Sequence, residues 1–362
     1  MNADFWKGKR VLITGHTGFK GSWLCLWLQS LYAKVYGYST KPPTTPSLYE
    51  VAGVRDGLTE SYEADVRDLK MLTEVFERHQ PEIVFHMAAQ PLVRYSYQNP
   101  IETYQTNVMG TLHLLEAIRR VGGVGAFINV TSDKCYENKE WIWPYRENEP
   151  LGGYDPYSNS KACSELVTAA YRDSFFNSED YDRHRTAIAT VRAGNVIGGG
   201  DWATDRLIPD IFSSFLQKKS VVIRMPHAIR PWQHVLDPLY GYLILAERLW
   251  LDGCQYAGAW NFGPNEEDSR TVEWIVERLS KMLDGNLIWE QESSNKNPHE
   301  AVYLKLDCSK SKSKLGWVPR WKLPCALERI VEWYRAYQAD LDMKNICLDQ
   351  IENYSLPGKQ HV

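Results

Sequence analysis

The N-terminal segment reads as a buried strand, a glycine-rich turn and a helix, and this order constrains the fold more than any other feature. Arg10-Val-Leu-Ile-Thr14 is a short apolar run of the kind that forms a buried parallel strand. Glycines follow at positions 15, 18 and 21, and an amphipathic segment begins at Ser22. Such glycines let phosphate oxygens approach the backbone, and a helix N-terminus favours negative charge. The segment therefore predicts a dinucleotide-binding turn, although an ordinary turn can carry the same glycines.

Strand and helix patterns alternate as far as residue 194. Strands are predicted at 34–38, 82–87, 126–131 and 186–191. Helical segments are predicted after residues 65–68, through about His79, and over 101–121. This alternation predicts an α/β fold with a doubly wound, Rossmann-like parallel sheet. The pattern then becomes irregular, so we predict a dinucleotide-binding domain of residues 1–194 with a returning segment near 234–262. Residues 195–233 and 263–350 are expected to form a smaller C-terminal substrate-binding domain.

The C-terminal edge of the predicted sheet is where a dinucleotide is expected to bind. The second strand ends at Tyr38 and is followed by Ser39, Thr40 and Lys41, without the acidic residue that binds the ribose of NAD, so this stretch does not distinguish NAD from NADP. Asp65 is expected to meet the adenine, with a helix N-cap as the alternative. The complete set of predicted cofactor contacts is Gly15, Thr17, Gly18, Phe19, Gly21, Asp65, Val66, Ala88, Ala89, Gln90, Tyr157 and Lys161.

Tyr157 and Lys161 form the clearest candidate for a proton-transfer pair. Pro156 suits the first turn of a helix, so the two side chains, four residues apart, share one helical face. A phenol with a pKa of about 10 is a poor base at neutral pH, and a nearby ammonium lowers that pKa. Two solvated side chains on a helix surface would give the same pattern.

A second polar group follows the predicted strand 126–131. Ser132, Asp133 and Lys134 lie at the end of this strand, where a hydroxyl, a carboxylate and an ammonium would converge on Tyr157. A surface turn is the alternative interpretation. Further along the chain, Arg206 and Arg230 lie beside Gly or Pro turns, which makes phosphate contacts plausible alongside ordinary surface ion pairs.

Composition excludes several classes of function. The formal charge of −4 and the absence of long basic runs disfavour a nucleic-acid partner. Seven scattered cysteines without a Cys-x-x-Cys pair argue against a metal site or a disulfide framework. The sequence shows neither a signal peptide nor an uninterrupted run of 18 apolar residues, so we expect a cytoplasmic protein that does not enter the membrane.

Taken together, these residues resemble the extended short-chain dehydrogenases/reductases, and within them the sugar-nucleotide 4,6-dehydratases. The resemblance covers about residues 10–321 and depends on the glycine turn, on Ser132-Asp133 and on Tyr157 with Lys161. The runs at 14–24, 87–94, 131–136 and 192–202 are similar to the branch of this family that acts on CDP-glucose. Lys134 stands where the dTDP-glucose and GDP-mannose enzymes have a glutamate, the base for the C5 proton, so the identity of that base is open.

The resemblance implies NAD as cofactor and a redox-neutral conversion of CDP-glucose to CDP-4-keto-6-deoxyglucose, a step in deoxysugar biosynthesis for bacterial surface polysaccharide. It implies that Tyr157 takes the proton of the 4-hydroxyl, that Lys161 lowers the pKa of Tyr157, and that Ser132 bonds the developing ketone. Asp133 then protonates the departing 6-hydroxyl, while Lys134 is either the C5 base or an ion-pair partner of Asp133. The implied substrate contacts are Asn195, Arg206, Arg230, His299 and Tyr303.

Other functions remain open at this stage. A sugar-nucleotide 4-epimerase would use the same cofactor and tyrosine but would need no acid to expel the 6-hydroxyl, so Asp133-Lys134 favours the dehydratase. A dehydratase for another nucleotide sugar and a non-catalytic binding protein are further alternatives, and the intact set of Ser132, Tyr157 and Lys161 argues against the latter. The resemblance also implies a homodimer or a dimer of dimers, paired through helices over 101–121 and 154–174.

Overall fold

The computed structural model describes residues 1–285, 287–292 and 303–356. Its strands, in chain order, are β1 (Arg10–Thr14), β2 (Lys34–Ser39), β3 (Glu60–Glu63), β4 (Ile83–His86), β5 (Ala126–Val130), β6 (Ala187–Ala193), β7 (Val196–Ile197), β8 (Val221–Ile223), β9 (Ile229–Pro231), β10 (Gln233–His234), β11 (Gly258–Phe262), β12 (Ser269–Thr271) and β13 (Trp289–Gln291). Seven of them form one sheet in the order β11-β6-β5-β4-β1-β2-β3, and all its neighbouring strands are parallel.

The α-helices that accompany these strands are α1 (Ala3–Trp6), α2 (Phe19–Ser30), α3 (Leu48–Val51), α4 (Leu69–His79), α5 (Val93–Gln98), α6 (Pro100–Tyr104), α7 (Gly110–Val121), α8 (Pro156–Phe175), α9 (Tyr181–His184), α10 (Leu207–Leu216), α11 (Leu236–Asp252), α12 (Val272–Met282), α13 (Ser309–Leu315), α14 (Leu323–Gln338) and α15 (Met343–Ser355). A π-helical turn, Gln105–Met109, joins α6 to α7, and a short 3-10 turn, Asp133–Cys135, follows β5. None of the helices in the described ranges is long and apolar enough to span a membrane.

Both faces of the large sheet are covered, as a doubly wound fold requires. Successive side chains of a strand point to opposite faces, so Val11 and Ile13 of β1 pack with α2 in one hydrophobic core. Leu12 lies between them in sequence but packs in the other core, with Phe76 of α4 and Leu115 of α7. Burial on both faces explains why these strands are continuous apolar runs. The predicted fold class is confirmed.

The C-terminal part of the chain is smaller and is built around three two-stranded sheets. These pair β7 with β10, β9 with β12, and β8 with β13. The strand β11 lies between these segments in sequence, yet it pairs with β6 at the edge of the large sheet. The seventh strand is therefore contributed by a segment near 234–262. The exact limits of the two predicted domains stay a prediction.

Two of the predicted helical segments are present, one of them with an interruption. Residues 65–68 lead into α4 as expected, and the helix begins at Leu69 because Asp68 is its N-cap and accepts a hydrogen bond from the Met71 N–H at 3.0 Å. Asp65 lies outside this helix and is not its cap. The helix expected over 101–121 is present but is interrupted by the π-helical turn at 105–109.

Candidate active site

The C-terminal ends of the parallel strands open onto one large cavity of about 760 Å³. Most of the predicted site residues line it, although they come from many separate segments of the chain. From the cofactor set these are Gly15, Thr17, Gly18, Phe19, Gly21, Asp65, Val66, Ala88, Ala89 and Gln90, and from the other sets Ser132, Asp133, Lys134, Tyr157, Lys161, Asn195, Arg206 and Arg230. Tyr303 does not line this cavity, and His299 lies outside the described residues.

The glycine turn forms the floor of the cavity, and two of its glycines have no room for a side chain. Gly15 has a φ of 73°, and a Cβ there would lie 2.6 Å from the Ala88 nitrogen. A Cβ on Gly21 would lie 2.2 Å from the Gly15 carbonyl oxygen. This close approach brings the N-terminus of α2, capped by Gly18, to the cavity. The turn therefore fits the pyrophosphate of a dinucleotide, which binds exposed backbone N–H groups at a helix N-terminus.

Hydroxyl groups lie at the end of β2, where an acidic residue would bind the ribose of NAD. The Thr17 and Ser39 hydroxyls lie 2.8 Å apart, and the Thr17 hydroxyl also donates to the Thr40 carbonyl at 3.0 Å. Asp65 faces the cavity, but its carboxylate accepts hydrogen bonds from the Arg67 guanidinium. That bond holds the pKa of Asp65 below its usual value, against the effect of partial burial. The contact of Asp65 with adenine stays a prediction.

Helix α8 begins as the sequence predicts and places Tyr157 and Lys161 in the cavity. Asp155 caps it by accepting the Ser158 N–H at 2.9 Å, and Pro156 is the first helical residue. Both Tyr157 and Lys161 are buried. The Lys161 ammonium donates to the Val130 carbonyl at 3.1 Å, which ties the helix to the end of β5.

The pKa of Tyr157 is set mainly by burial. Burial, the largest cause, raises it to about 12, and a hydrogen bond to Ser132 only partly offsets this rise. Arg206 also lowers the pKa of Tyr157, by its charge. Burial lowers the pKa of Lys161 to about 8, so this ammonium is itself poorly solvated. The expectation that Lys161, together with the charge of a bound cofactor, lowers the pKa of Tyr157 stays a prediction; among the protein's own groups, desolvation of the phenol is the largest effect.

Ser132, Asp133 and Lys134 lie in the turn that follows β5. The Ser132 hydroxyl donates to Asp133 Oδ1 at 3.1 Å and accepts the Lys134 N–H at 3.2 Å. Asp133 is buried, which raises its pKa, while the nearby Lys134 charge opposes that rise. Lys134 is only partly buried, and within the described ranges its ammonium forms no ion pair shorter than 4.0 Å with Asp133. The turn thus places a carboxyl with a raised pKa beside a lysine.

Lys20 is a charged wall residue that the sequence reasoning missed. It lies inside the glycine turn and lines the cavity, and its ammonium is 3.5 Å from the Tyr242 hydroxyl. Burial and, to a smaller extent, the positive charges of Lys161 and Arg206 lower its pKa to about 7. The sequence shows a lysine between the second and third glycines of the turn, but it does not show in which direction the side chain points.

A buried ion pair beneath the site was also missed. Glu165, one helical turn after Lys161, binds Arg192 of β6 with two hydrogen bonds of 2.9 Å, and both side chains are 3% exposed. Burial raises the pKa of Glu165, but Arg192 outweighs it and holds the pKa below its usual value. Glu165 also accepts hydrogen bonds from Thr131 and Thr190. This cluster joins α8 to the ends of β5 and β6.

The opposite wall of the cavity carries the predicted substrate residues. Arg206 is the N-cap residue of α10, and its guanidinium pairs with Asp201 at 2.9 Å. Arg230 lies on β9 and donates to its neighbour's carbonyl at 3.1 Å. Asn195 follows β6 and lies just before β7. The Tyr303 carbonyl accepts a hydrogen bond from Asn138 at 3.0 Å, and its assigned contact with substrate stays a prediction.

Solved structures with this fold bind sugar nucleotides and NAD. The UDP-glucose 4-epimerase of Thermotoga maritima, solved with UDP-glucose, superposes with a TM-score of 0.77 at 23% identity over 91% of this chain and 99% of that chain. The dTDP-glucose 4,6-dehydratase of Bacillus anthracis, solved with NAD, has a TM-score of 0.74 at 20% identity, covering 94% and 100% of the two chains. At this identity both comparisons show a shared fold.

Sequence comparison places the chain in a family. The GDP-mannose 4,6 dehydratase family model matches residues 12–330. The CDP-glucose 4,6-dehydratase of Salmonella typhimurium is 56% identical over 354 residues, which cover 98% of each chain. Both comparisons extend over the glycine turn, the 132–134 turn and helix α8. The chain therefore belongs to the sugar-nucleotide 4,6-dehydratase family that the GDP-mannose 4,6 dehydratase model describes.

Proposed function

We propose that this chain converts CDP-glucose to CDP-4-keto-6-deoxyglucose and water, with NAD as a cofactor that is regenerated in each turnover. The observation that carries the proposal is the convergence of Ser132, Asp133, Tyr157 and Lys161 on one cavity, in a chain 56% identical to a CDP-glucose 4,6-dehydratase. A 4-epimerase would need no acid at C6. A buried carboxyl with a raised pKa is the group that expulsion of a hydroxide requires.

NAD, when bound, supplies the acceptor for hydride from C4 and the donor that returns hydride to C6. The proposed holders of its pyrophosphate are the backbone groups of the glycine turn, where Gly15 and Gly21 leave no space for side chains. The hydroxyls of Thr17 and Ser39 are proposed to face the adenosine ribose. NAD is favoured over NADP because a cofactor that is recycled within one turnover gains nothing from the NADP pool, and solved structures of relatives hold NAD.

Tyr157 is proposed to accept the proton of the 4-hydroxyl. A pKa of about 12 makes the phenol a poor acceptor by itself, so nearby hydrogen bonds and positive charges must assist the transfer. The Ser132 hydroxyl lowers the pKa of Tyr157 and is suited to bond the oxygen that becomes the ketone. Lys161, fixed on the Val130 carbonyl, adds a positive charge on the same face of α8. These groups together stabilise the phenolate during the transfer.

Asp133 and Lys134 are proposed to carry out the elimination of water. A ketone at C4 acidifies the C5 hydrogen, and Asp133, whose pKa is raised by burial, donates a proton to the departing 6-hydroxyl. Lys134 is proposed as the C5 base. Lys134 lines the cavity next to Asp133, which places its amine on the same wall as the proposed acid. The absence of a close ion pair between these two side chains supports this role over a purely structural one.

The diphosphate of the substrate is proposed to bind Arg206 and Arg230, with Asn195 beside them. Arg206 lies close enough to Tyr157 for each to shift the pKa of the other. A diphosphate bound to Arg206 would thus place the attached sugar near Tyr157. Arginine is suited to this contact because its planar fork binds phosphate oxygens in pairs.

One assay tests the proposed activity. The purified protein is incubated with NAD and, separately, with CDP-, UDP-, dTDP- and GDP-glucose, and the ultraviolet absorbance of a 4-keto-6-deoxy sugar in alkali is measured. We expect absorbance with CDP-glucose. Formation of CDP-galactose without that absorbance would instead identify a 4-epimerase, and absorbance with a different nucleotide sugar alone would overturn the proposed substrate.

The cofactor preference has its own test. Cofactor-free protein is titrated with NAD and with NADP, and binding is followed by tryptophan fluorescence. We expect tighter binding of NAD. Tighter binding of NADP would show that residues 39–41 hold a 2′-phosphate.

We further infer a homodimer or dimer of dimers paired through α6, α7 and α8. Large apolar side chains are exposed on these helices and on the π-helical turn between α6 and α7, with Ile101 74%, Met109 42% and Leu166 57% exposed. Apolar groups of this size on neighbouring helices are typical of an interface between subunits. Light scattering at working concentration should give at least twice the mass of one chain, and the mass of a monomer would contradict the inference.

A further inference from the structure

Asp210 is a carboxylate in the cavity wall to which the proposed reaction assigns no role. It lies in the first turns of α10, three residues after Leu207, so the two residues share a helical face, and both line the cavity. Val222, Ile223 and Arg224 line the same part of the wall. This patch of the cavity combines apolar surface with a carboxylate and a guanidinium.

Asp210 lies one helical turn beyond Arg206, the proposed phosphate contact. Arg206, which is near Tyr157, is the N-cap of α10. A helix rises 1.5 Å per residue, so Asp210 lies roughly 6 Å farther along the axis of α10. In a nucleotide sugar the base lies beyond the diphosphate and the ribose, on the side away from the glucose. A carboxylate one helical turn from Arg206 is within reach of the base when the diphosphate contacts Arg206.

The carboxylate of Asp210 accepts a hydrogen bond from the Asp205 backbone N–H and has further lone pairs that can accept another. Burial raises its pKa to about 6, the charge of Asp205 raises it as well, and Arg224 opposes the rise. The group is thus mainly ionised at neutral pH. Arg224 is engaged by Asp205 at 2.9 Å, whereas Asp210 has no ion pair within 4.0 Å among the residues that the structure describes.

Cytosine differs from uracil and thymine at position 4 of the ring. Cytosine has an amino group there, which donates hydrogen bonds, whereas uracil and thymine have a carbonyl oxygen, which accepts them. A half-buried carboxylate would bind the first and repel the second. Carboxylates are accordingly the side chains that accept from the cytosine amino group in nucleic-acid recognition.

We propose that Asp210 accepts a hydrogen bond from the 4-amino group of cytosine and so selects CDP-glucose over UDP-glucose and dTDP-glucose. This assignment rests on the proposed function, because it presumes that a CDP-sugar enters the cavity. A site built to pair with a polar group discriminates strongly against a substrate that leaves its own buried group unpaired.

The test compares the wild type with Asp210→Asn on CDP-glucose and UDP-glucose. The amide retains the shape of the carboxylate but can donate to the uracil oxygen. We expect the ratio of kcat/KM for CDP-glucose to that for UDP-glucose to fall at least about tenfold, mainly through KM. Calorimetric binding of CDP and UDP, which involves no chemistry, should show the same change in preference.

Asp205→Asn is the matched control, because it removes a neighbouring cavity-lining carboxylate that Arg224 already binds. Its ratio should stay within about twofold of the wild-type value. An unchanged ratio in Asp210→Asn, or an equal change in both variants, would overturn the role of Asp210. A wild-type protein without activity on CDP-glucose would overturn the proposed function and, with it, this assignment.

Discussion

Replacing Lys20 with methionine should stabilise the fold, and the gain should depend on pH in a defined way. Lys20 lies in the cavity wall, where burial and the charges of Lys161 and Arg206 lower its pKa, while Asp133 opposes them. Its ammonium contacts the Tyr242 hydroxyl at 3.5 Å and the face of the same ring. No carboxylate lies within 4.0 Å of it in the described ranges, so folding places a positive charge in a poorly solvated position.

The size and sign of the effect follow from the two pKa values. The pKa of Lys20 falls from 10.5 in an exposed lysine to about 7 in the folded protein. Between these values the unfolded chain binds more protons, so the free energy of unfolding rises with pH. A difference of that size corresponds to about 5 kcal/mol as an upper limit. Because the side chain is only partly buried, solvent screening reduces this, and we expect on the order of 2 kcal/mol.

Chemical denaturation at pH 7 and pH 9.5 measures this difference. The stability advantage of Lys20→Met over wild type should be larger at pH 7 than at pH 9.5. At pH 9.5 the folded wild type no longer carries the buried charge, and only the smaller cost of releasing a proton from the unfolded lysine remains. Packing differences between the two side chains cancel in the comparison across pH. The exposed Lys34 provides the control, and Lys34→Met should show no such change. An advantage that is equal at both pH values would refute the reasoning.

Three further outcomes follow from the structure. Tyr157→Phe should fold and bind cofactor but lose at least two to three orders of magnitude in turnover, and near wild-type turnover would remove Tyr157 from the proton transfer. Lys134→Met should still oxidise C4 and accumulate the absorbance of reduced cofactor, but should not exchange the C5 hydrogen with deuterated solvent; normal exchange would show that Lys134 is not the base. Burial raises the pKa of Asp237 from 3.8 to about 7, so the free energy of unfolding falls as pH rises through this range. Asp237→Asn should reduce that fall when chemical denaturation at pH 4 is compared with denaturation at pH 7.5. An unchanged fall would contradict the shift.

The sequence was a good guide wherever one local pattern determined the structure. The apolar run 10–14 and the glycine turn became β1 and the floor of the cavity, and Pro156 marked the start of α8. These features depend on neighbours within a few residues, which periodicity and capping rules describe. The convergence of strand ends was also predictable, because parallel strands end at a common edge.

Properties that depend on distant contacts were not predictable in this way. Helical spacing showed that Tyr157 and Lys161 share a face, but it did not show that burial in the folded protein would desolvate both side chains. The pKa of Tyr157 therefore shifted upward and not downward. Lys20 was visible in the glycine turn, yet its electrostatic neighbours come from segments more than a hundred residues away.

The ion pair of Glu165 and Arg192 shows why the geometry of the site depends on this distant packing. Tyr157, Lys161 and Glu165 follow one another at intervals of four residues on the same face of α8. Glu165 binds Arg192 of β6 and the Thr131 hydroxyl beside the 132–134 turn. One face of α8 therefore carries the proton-transfer pair at its start and, one turn later, the anchor that fixes this helix to the strand ends. Glu165 thus holds α8 and the 132–134 turn together. Removing either Glu165 or Arg192 would leave a buried charge without its partner, which is strongly destabilising.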